Sequence, residues 1–169
     1  MLTACFELAE VLKKTLSNFK LKTKKGETRS PQVIVGWLPA KRAGETDDEA
    51  FPFVRILPLE GYDDMHEGVC SVSILFGAWA DDAKGWMDAL NAFQYCRIAI
   101  ASLPGMFLFS ACLTEAKGKV IEWKLYEEQY FPQWFAEMKV NMIIDKPEPL
   151  PLADNDYRAG LYPQNRSNS

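Results

Sequence analysis

The single histidine of the chain, His66, lies among acidic residues, with Asp63 and Asp64 before it and Glu67 after it. A carboxylate beside an imidazole can orient it as a general base, or the two side chains can share a metal ion. There is no second histidine, and no motif places a nucleophile near this one, so a solvated acidic turn explains the cluster more simply. We therefore expect neither a catalytic nor a metal-binding role for His66.

Other motifs that bind ions or nucleotides are missing. The acidic run from Glu45 to Glu49 lacks the glycine and the terminal glutamate of a calcium-binding EF-hand loop. No G-x-x-x-x-G-K-[ST], G-x-G-x-x-G or G-x-S-x-G segment occurs. Ser71 and Ser73 fit the alternation of a half-buried strand. The sequence thus predicts a protein that is not an enzyme and needs no cofactor.

The cysteines and the charge balance exclude further classes. The cysteines lie far apart without a C-x-x-C pair, which predicts reduced and mostly buried thiols rather than a zinc site. The 19 basic and 23 acidic residues give a formal net charge of -4, which disfavours a dedicated nucleic-acid binder. Lysines from Lys20 to Lys25 are interpreted as a solvated helix end. A nucleic-acid regulator that uses these lysines is an alternative.

The length and the hydrophobic content predict one domain. A chain of 169 residues with 48% hydrophobic content buries enough apolar surface to fold without disulfides or metals. Its first residues lack the basic and then apolar order of a signal peptide. The apolar stretch over 89–109 is interrupted by Arg97 and Pro104, which disfavours a membrane span. We expect an intracellular protein with no membrane segment.

Hydrophobic periodicity predicts eight elements. In chain order they are a helix over 2–19, strands over 32–39, 52–59 and 69–79, a helix over 82–103, and strands over 106–109, 120–126 and 134–144. Thr3 is expected to cap the first helix and Asp81 or Asp82 the second. The order α-β-β-β-α-β-β-β predicts an α+β fold: a mainly antiparallel twisted sheet with helices packed on one face.

We predict a single α+β domain over 1–145 and a Pro-rich extended C-terminal arm over 146–169. The arm has several prolines and no hydrophobic period, which is typical of polyproline-like segments. Between the first two long strands, the polar segment AKRAGETDDEA (40–50) is predicted to be a mobile, exposed loop.

The chain has many large aromatic residues, including five Trp. Predicted strands carry Trp37, Trp79, Trp123 and Trp134, and a second group follows at Tyr126, Tyr130 and Phe131. Part of this surface is expected to lie outside the core and to mark a subunit contact. The alternative is a two-sided sheet that buries all of these side chains.

Three segments resemble a known family. They are FPFVRILPLEGYDD (51–64), SVSILFGAWADDAKGWMDALNAFQYCRIAIASLP (71–104) and IEWKLYEEQYFPQWFAEMKVNMIID (121–145). Together they resemble the tail terminator family, the small neck and tail-completion proteins of long-tailed bacteriophages and prophages. The resemblance implies a structural virion protein that assembles in the host cytoplasm. It would form a hexameric ring on the head-proximal end of the tail tube, stop tube growth and provide the attachment surface for the head connector.

The resemblance implies contact residues rather than catalytic ones. The expected partners are further copies of the chain, the tail tube protein and the head-tail connector, while DNA passes through the lumen without specific binding. A loop with a basic start and an acidic end suits pairing between copies. Its residues, expected at the subunit or tail-tube interface, are Lys41, Arg42, Asp47, Asp48 and Glu49. The acids expected to line the ring lumen are Asp63, Asp64 and Glu67.

Two alternatives to this function remain. One is another phage neck, head-tail connector or baseplate component with a similar small α+β build. The other belongs to a different class: an enzyme or ligand-binding domain whose site lies near His66 and is assembled from residues distant in sequence.

Overall fold

The structure is a computed structural model that describes residues 1–38, 50–63, 66–115 and 119–144. Within these ranges the chain forms two α-helices and eight β-strands. In chain order they are α1 (Leu2–Leu16), β1 (Leu21–Lys22), β2 (Thr28–Arg29), β3 (Gln32–Val35), β4 (Phe53–Asp63), β5 (Gly68–Trp79), α2 (Gly85–Ala101), β6 (Ala111–Leu113), β7 (Ile121–Leu125) and β8 (Gln133–Ile144). The fold is α+β, as the sequence predicts.

Six of these strands form one sheet, in the order β3-β4-β5-β8-β6, and β7 also pairs with β8. The pairs are antiparallel except for β3 and β4, which run parallel. Because β5 occupies one edge of β8, the other edge is shared: β7 pairs with its first half and β6 with its end. The predicted, mainly antiparallel sheet is therefore present, with one parallel pair at its edge.

Both helices pack on the same side of this sheet, here called the helix-covered face. The core lies between the two layers, because β5 turns Val72, Ile74 and Phe76 toward the helices. The ring of Phe76 meets that of Phe93 in α2 edge to face, with 5.9 Å between their centres. We call the opposite side the open face, because no helix in the described part of the chain packs against it.

Three predicted boundaries are wrong in the connections. The strand predicted over 106–109 is absent, since a 3₁₀ turn spans Pro104–Met106 and the nearest strand, β6, begins at Ala111. The strand predicted over 52–59 is longer at its end, because β4 continues to Asp63 in pairs with β5. The helix predicted over 2–19 ends earlier, at Leu16. The lysines that follow do not form the end of this helix, because the buried Leu21 starts the hairpin of β1 and β2.

Neither predicted helix cap is correct. The α1 helix begins at Leu2, with Met1 in the cap position and no side-chain hydrogen bond, so Thr3 lies inside the helix. The α2 helix begins at Gly85. The Asp82 carboxylate instead accepts a hydrogen bond from the Lys84 backbone N–H at 2.8 Å, and it closes the turn before the helix.

The predicted C-terminal arm (146–169) and most of the predicted loop over 40–50 lie outside the described residues. In the part of the chain that is described, no helix combines the length and the apolar character needed to cross a membrane.

Candidate functional site

The centre of the open face is polar although it is buried. Neighbouring strands β5 and β8 place Ser73, Glu137 and Asn141 there, with exposed fractions of 1%, 8% and 6%. Burying such groups costs free energy unless each finds a hydrogen-bond partner. The partners therefore decide what this part of the surface can do.

Glu137 is the centre of a network formed with Ser73, Lys124 and Tyr126, here called the Glu137 network. The Ser73 hydroxyl donates to Glu137 Oε1 at 2.7 Å, and the Tyr126 hydroxyl donates to Oε2 at 2.8 Å. Lys124 Nζ lies 3.4 Å from the same Oε2 and 4.4 Å from the centre of the Tyr126 ring. Both carboxylate oxygens are thus satisfied, and a cation balances the charge.

The protonation states in this network follow from its contacts. Burial raises the pKa of Glu137, but the hydrogen bonds from Ser73 and Tyr126 and the charge of Lys124 outweigh it, so the net pKa is lowered. Burial, and then the hydrogen bond to Glu137, raise the pKa of Tyr126. The pKa of Lys124 is also raised, by Tyr126 and by Glu137. At neutral pH Glu137 is therefore an anion with a low pKa, which makes it a weak general base.

A second polar pair lies beside the network. The Ser71 hydroxyl donates to Asn141 Oδ1, and Asn141 Nδ2 donates to the Lys119 carbonyl oxygen at 3.2 Å. Ser71 and Asn141 border a wide depression of about 350 Å³ that also reaches Glu60 and Lys139. Within the described residues, no three His, Cys, Asp or Glu side chains are placed to hold a metal ion.

The rest of the open face is aromatic where β5 ends. Phe51 and Phe53 stack edge to face with 5.0 Å between ring centres, and Phe135 and Trp79 pack against Phe51 at 5.6 and 6.2 Å. Lys24 Nζ lies 5.6 Å from the centre of the Trp79 ring. This cluster forms a small second core on the open face.

A groove with aromatic walls runs beside the start of α2. This groove, here called the aromatic groove, is shallow and open, has a volume of about 330 Å³, and is lined by Trp86, Leu125, Tyr126, Glu127, Gln129 and Trp134. Nearby, Trp123, Tyr130 and Phe131 are exposed to solvent. The sequence predicts that part of the aromatic surface lies outside the core, and these side chains do so, whereas Trp79 is buried.

A second apolar surface lies at the other end of α2. Leu2 and Phe6 of α1 are exposed, as are Phe107 and Phe109 in the turn before β6; Phe109 is fully exposed, at 101%. The Ser110 backbone N–H donates to the Glu7 carboxylate at 2.9 Å, which holds this turn against α1. We call these four exposed side chains the Phe109 patch.

The acids predicted to line the ring lumen lie in the connection between β4 and β5. Asp63 is exposed and ends β4 opposite Gly68, and Glu67 is half-buried. His66 is exposed in the same connection and takes no part in the Glu137 network. The third predicted lumen acid, Asp64, lies outside the described residues. So do the residues predicted to form an interface, which are Lys41, Arg42, Asp47, Asp48 and Glu49.

Sequence reasoning missed the Glu137 network. Glu137, Lys139 and Asn141 occupy alternate positions of one strand, and Ser71 and Ser73 occupy alternate positions of another. When polar residues recur at every second position of two long apolar strands, they share one face if the strands pair. That signal was present, but the pairing of β5 with β8 joins residues more than 60 positions apart, and the contribution of Tyr126 depends on the register of β7 with β8.

Burial makes three of the thiols poor nucleophiles, because it raises the pKa of each. Cys5, Cys70 and Cys96 are buried and not disulfide-bonded. Burial raises the pKa of Cys96 to about 12, so this thiol carries almost no nucleophilic thiolate at neutral pH.

Comparison with known proteins adds no relative: no protein-family model matches the chain, and no curated protein is similar to it in sequence. The functional assignment therefore depends on the residues and the fold described above.

Proposed function

We propose that the chain is a structural virion protein: a tail terminator that forms a ring on the head-proximal end of a phage tail tube. The ring stops tube growth and provides the attachment surface for the head connector. Two findings support this proposal. The sequence resembles that family over about Phe51 to Asp145, and the α+β fold, with both helices on one side of the sheet, is the one that the resemblance implies.

The observation that carries the proposal is the presence of two separate exposed apolar surfaces. The rim of the aromatic groove lies near the start of α2, and the Phe109 patch follows its end. A helix of 17 residues spans about 25 Å at a rise of ~1.5 Å per residue. Exposed apolar patches commonly mark protein contacts. A subunit in a closed ring meets its two neighbours through two different surfaces, and these two apolar surfaces would serve as such a pair.

The polar residues are consistent with a structural role. The low pKa and the satisfied oxygens of Glu137 suit a group that stabilises the sheet. Asp63 is exposed, and in a ring it would repel the phosphate backbone of DNA in the lumen. The residues of the loop from Lys41 to Glu49 would pair with a neighbouring copy or with the tube.

The test is tube growth. A tail-tube protein of the same phage or prophage is polymerised with and without the purified chain, and the length of the tubes is followed by light scattering and negative-stain images. We expect shorter tubes that carry a ring at one end. The variant Phe109→Ser should weaken ring formation, while Leu59→Ser, which changes an exposed apolar residue outside both surfaces, serves as the matched control.

Tubes that grow to the same length with no ring would contradict the tail terminator function. A ring that binds a neck or baseplate protein but leaves tube growth unchanged would favour the alternative of another neck component. The variant His66→Ala distinguishes a ring protein from an enzyme with a site near His66. Assembly of a ring protein should not depend on this exposed side chain, whereas an enzyme that uses it should lose activity and keep its fold.

A further inference from the structure

The aromatic groove has the chemistry of a site for a proline-rich peptide. Its walls include two indole rings, Trp86 and Trp134, and the Tyr126 ring. The Trp134 indole N–H is fixed by a hydrogen bond to the Ala80 carbonyl oxygen at 3.1 Å, which holds that ring in place. Grooves between aromatic rings bind proline-rich segments, because proline rings stack on flat apolar faces.

The chain itself contains a segment of this kind. The sequence PEPLPL (147–152) alternates three prolines with Glu148, Leu150 and Leu152. Proline fixes its own backbone φ angle and has no N–H group, so such a segment loses little conformational entropy when it binds in an extended form.

We propose that residues 147–152 of one copy bind in the aromatic groove of a second copy. The proposal deepens the proposed function, since it supplies one contact between neighbouring subunits. It rests on that function only in requiring that copies associate.

The distance along β8 favours a second copy over the same one. The β8 strand leads from the groove to Ile144, and Trp134 lies ten residues before Ile144, which is about 33 Å at ~3.3 Å per residue. Leu125 pairs with Ala136, about 26 Å away on the same basis. In contrast, residues 147 to 152 follow Ile144 by three to eight residues, which reaches about 9 to 25 Å in an extended polyproline form and falls short of Trp134.

The direction of the strand adds to this shortfall. Residue 145 follows the end of β8 that is farther from Trp134, so the chain would have to reverse before its own prolines could approach the groove. A neighbouring copy has no such restriction. An arm that leaves one subunit and binds the next is a heterologous contact, the kind that builds rings.

The experiment uses two full-length variants that each disable one partner. The arm variant carries Leu150→Asp and Leu152→Asp, and the groove variant carries Trp86→Ala. Self-association is measured by light scattering over a range of protein concentrations, and circular dichroism verifies that each variant is folded. We expect each variant to associate at least about tenfold more weakly than the unchanged chain, as loss of a central aromatic contact does.

The mixture of the two variants is the decisive sample. It contains one intact groove and one intact arm on different molecules, so it should form one-to-one dimers that neither variant forms alone. Pro163→Ala and Leu59→Ala, which change a distal proline and an exposed apolar residue of β4 outside the aromatic groove, are the matched controls and should associate like the unchanged chain.

A peptide that spans 145–156 gives an independent measurement. It should bind the arm variant, and a peptide with its three prolines replaced by alanine should bind at least about tenfold more weakly. No binding of the peptide, no dimer in the mixture, or unchanged self-association of both variants would overturn the proposal. Tube capping is measured separately, so the two proposals can fail independently. If the peptide does not bind but the chain still caps tubes, the arm contact is wrong and the proposed function stands.

Discussion

The two faces of the central sheet are built by the same strands and stabilised in different ways. On the helix-covered face, β5 and β8 contribute apolar side chains such as Ile74, Phe76 and Met138, all buried in one core with α1 and α2. On the open face, the same strands contribute Ser73 and Glu137, which are buried without a helix layer above them and are stabilised by a hydrogen bond to each other.

The difference shows which face defines the register of the sheet. A shift of β8 by two residues along β5 would keep every apolar side chain on the helix-covered face, because side chains alternate with a period of two. In either direction the same shift would move Asn141 away from Ser71, its partner directly across the two strands, and would leave the buried Asn141 amide without this hydrogen bond. The apolar face therefore supplies most of the stability, and the polar face selects one pairing.

The largest expected effect compares neighbouring residues on the two faces of β5. Phe76→Ala should lower the free energy of unfolding by about 3 to 5 kcal/mol, since it opens a cavity between the layers. Leu75→Ala, at a half-buried position of the open face, should cost about 1 kcal/mol. Urea unfolding followed by far-UV circular dichroism measures both values. Equal losses would show that the open face is packed as tightly as the helix-covered one.

The next effect tests the Glu137 network. Glu137→Leu should destabilise the fold by about 2 kcal/mol, because the Ser73 and Tyr126 hydroxyls lose their shared acceptor in a buried position. Glu137→Gln is the matched control, since it keeps one carbonyl acceptor and should lose less. The same urea unfolding measures both variants. If Glu137→Leu is as stable as the unchanged chain, hydrogen bonding on the open face contributes little and the register must depend on the helices.

A smaller effect is expected from acid. The folded pKa of Glu137 lies below its ordinary value of 4.5, so its stabilisation is fully present above the pKa of the unfolded chain. It is lost as the pH falls through the folded pKa. The stability difference between the unchanged chain and Glu137→Gln should therefore shrink below about pH 4.5. Unfolding curves at a series of pH values measure this difference, and a constant difference would contradict the network.

At alkaline pH the stability contributed by Tyr126 should fall as the pH rises. The folded pKa of Tyr126 is raised above its ordinary value of 10.0, so its contribution is fully present below that pH and is lost as the pH rises through the folded pKa. Tyr126→Phe should remove this alkaline loss. Unfolding curves above pH 9 measure it, and an unchanged alkaline slope in Tyr126→Phe would contradict the assignment.

The sequence predicted the helix-covered face better than the open one, for a physical reason. Apolar periodicity is local, so the stripes of α1 and α2 and the alternation of β5 were visible without knowing what they contact. The network around Glu137 depends on which strands pair and in which register, and these are long-range properties. The predicted helix cap was also wrong. Asp82 has the chemistry of a helix cap, but its carboxylate accepts the Lys84 N–H in the turn that precedes α2.

The smallest expected effect tests whether apolar character alone, without burial, stabilises a surface. Phe109 is as apolar as Phe76 but fully exposed, so Phe109→Ser removes no buried area and should change the free energy of unfolding by less than about 0.5 kcal/mol. The same variant should weaken self-association, because an exposed aromatic ring gains free energy only when a neighbouring molecule covers it. Urea unfolding and light scattering on one preparation separate the two quantities. A large loss of stability would show that Phe109 is covered in the folded chain and would remove it from the assembly surface, whereas unchanged stability with weaker association would assign its apolar area to contact between molecules.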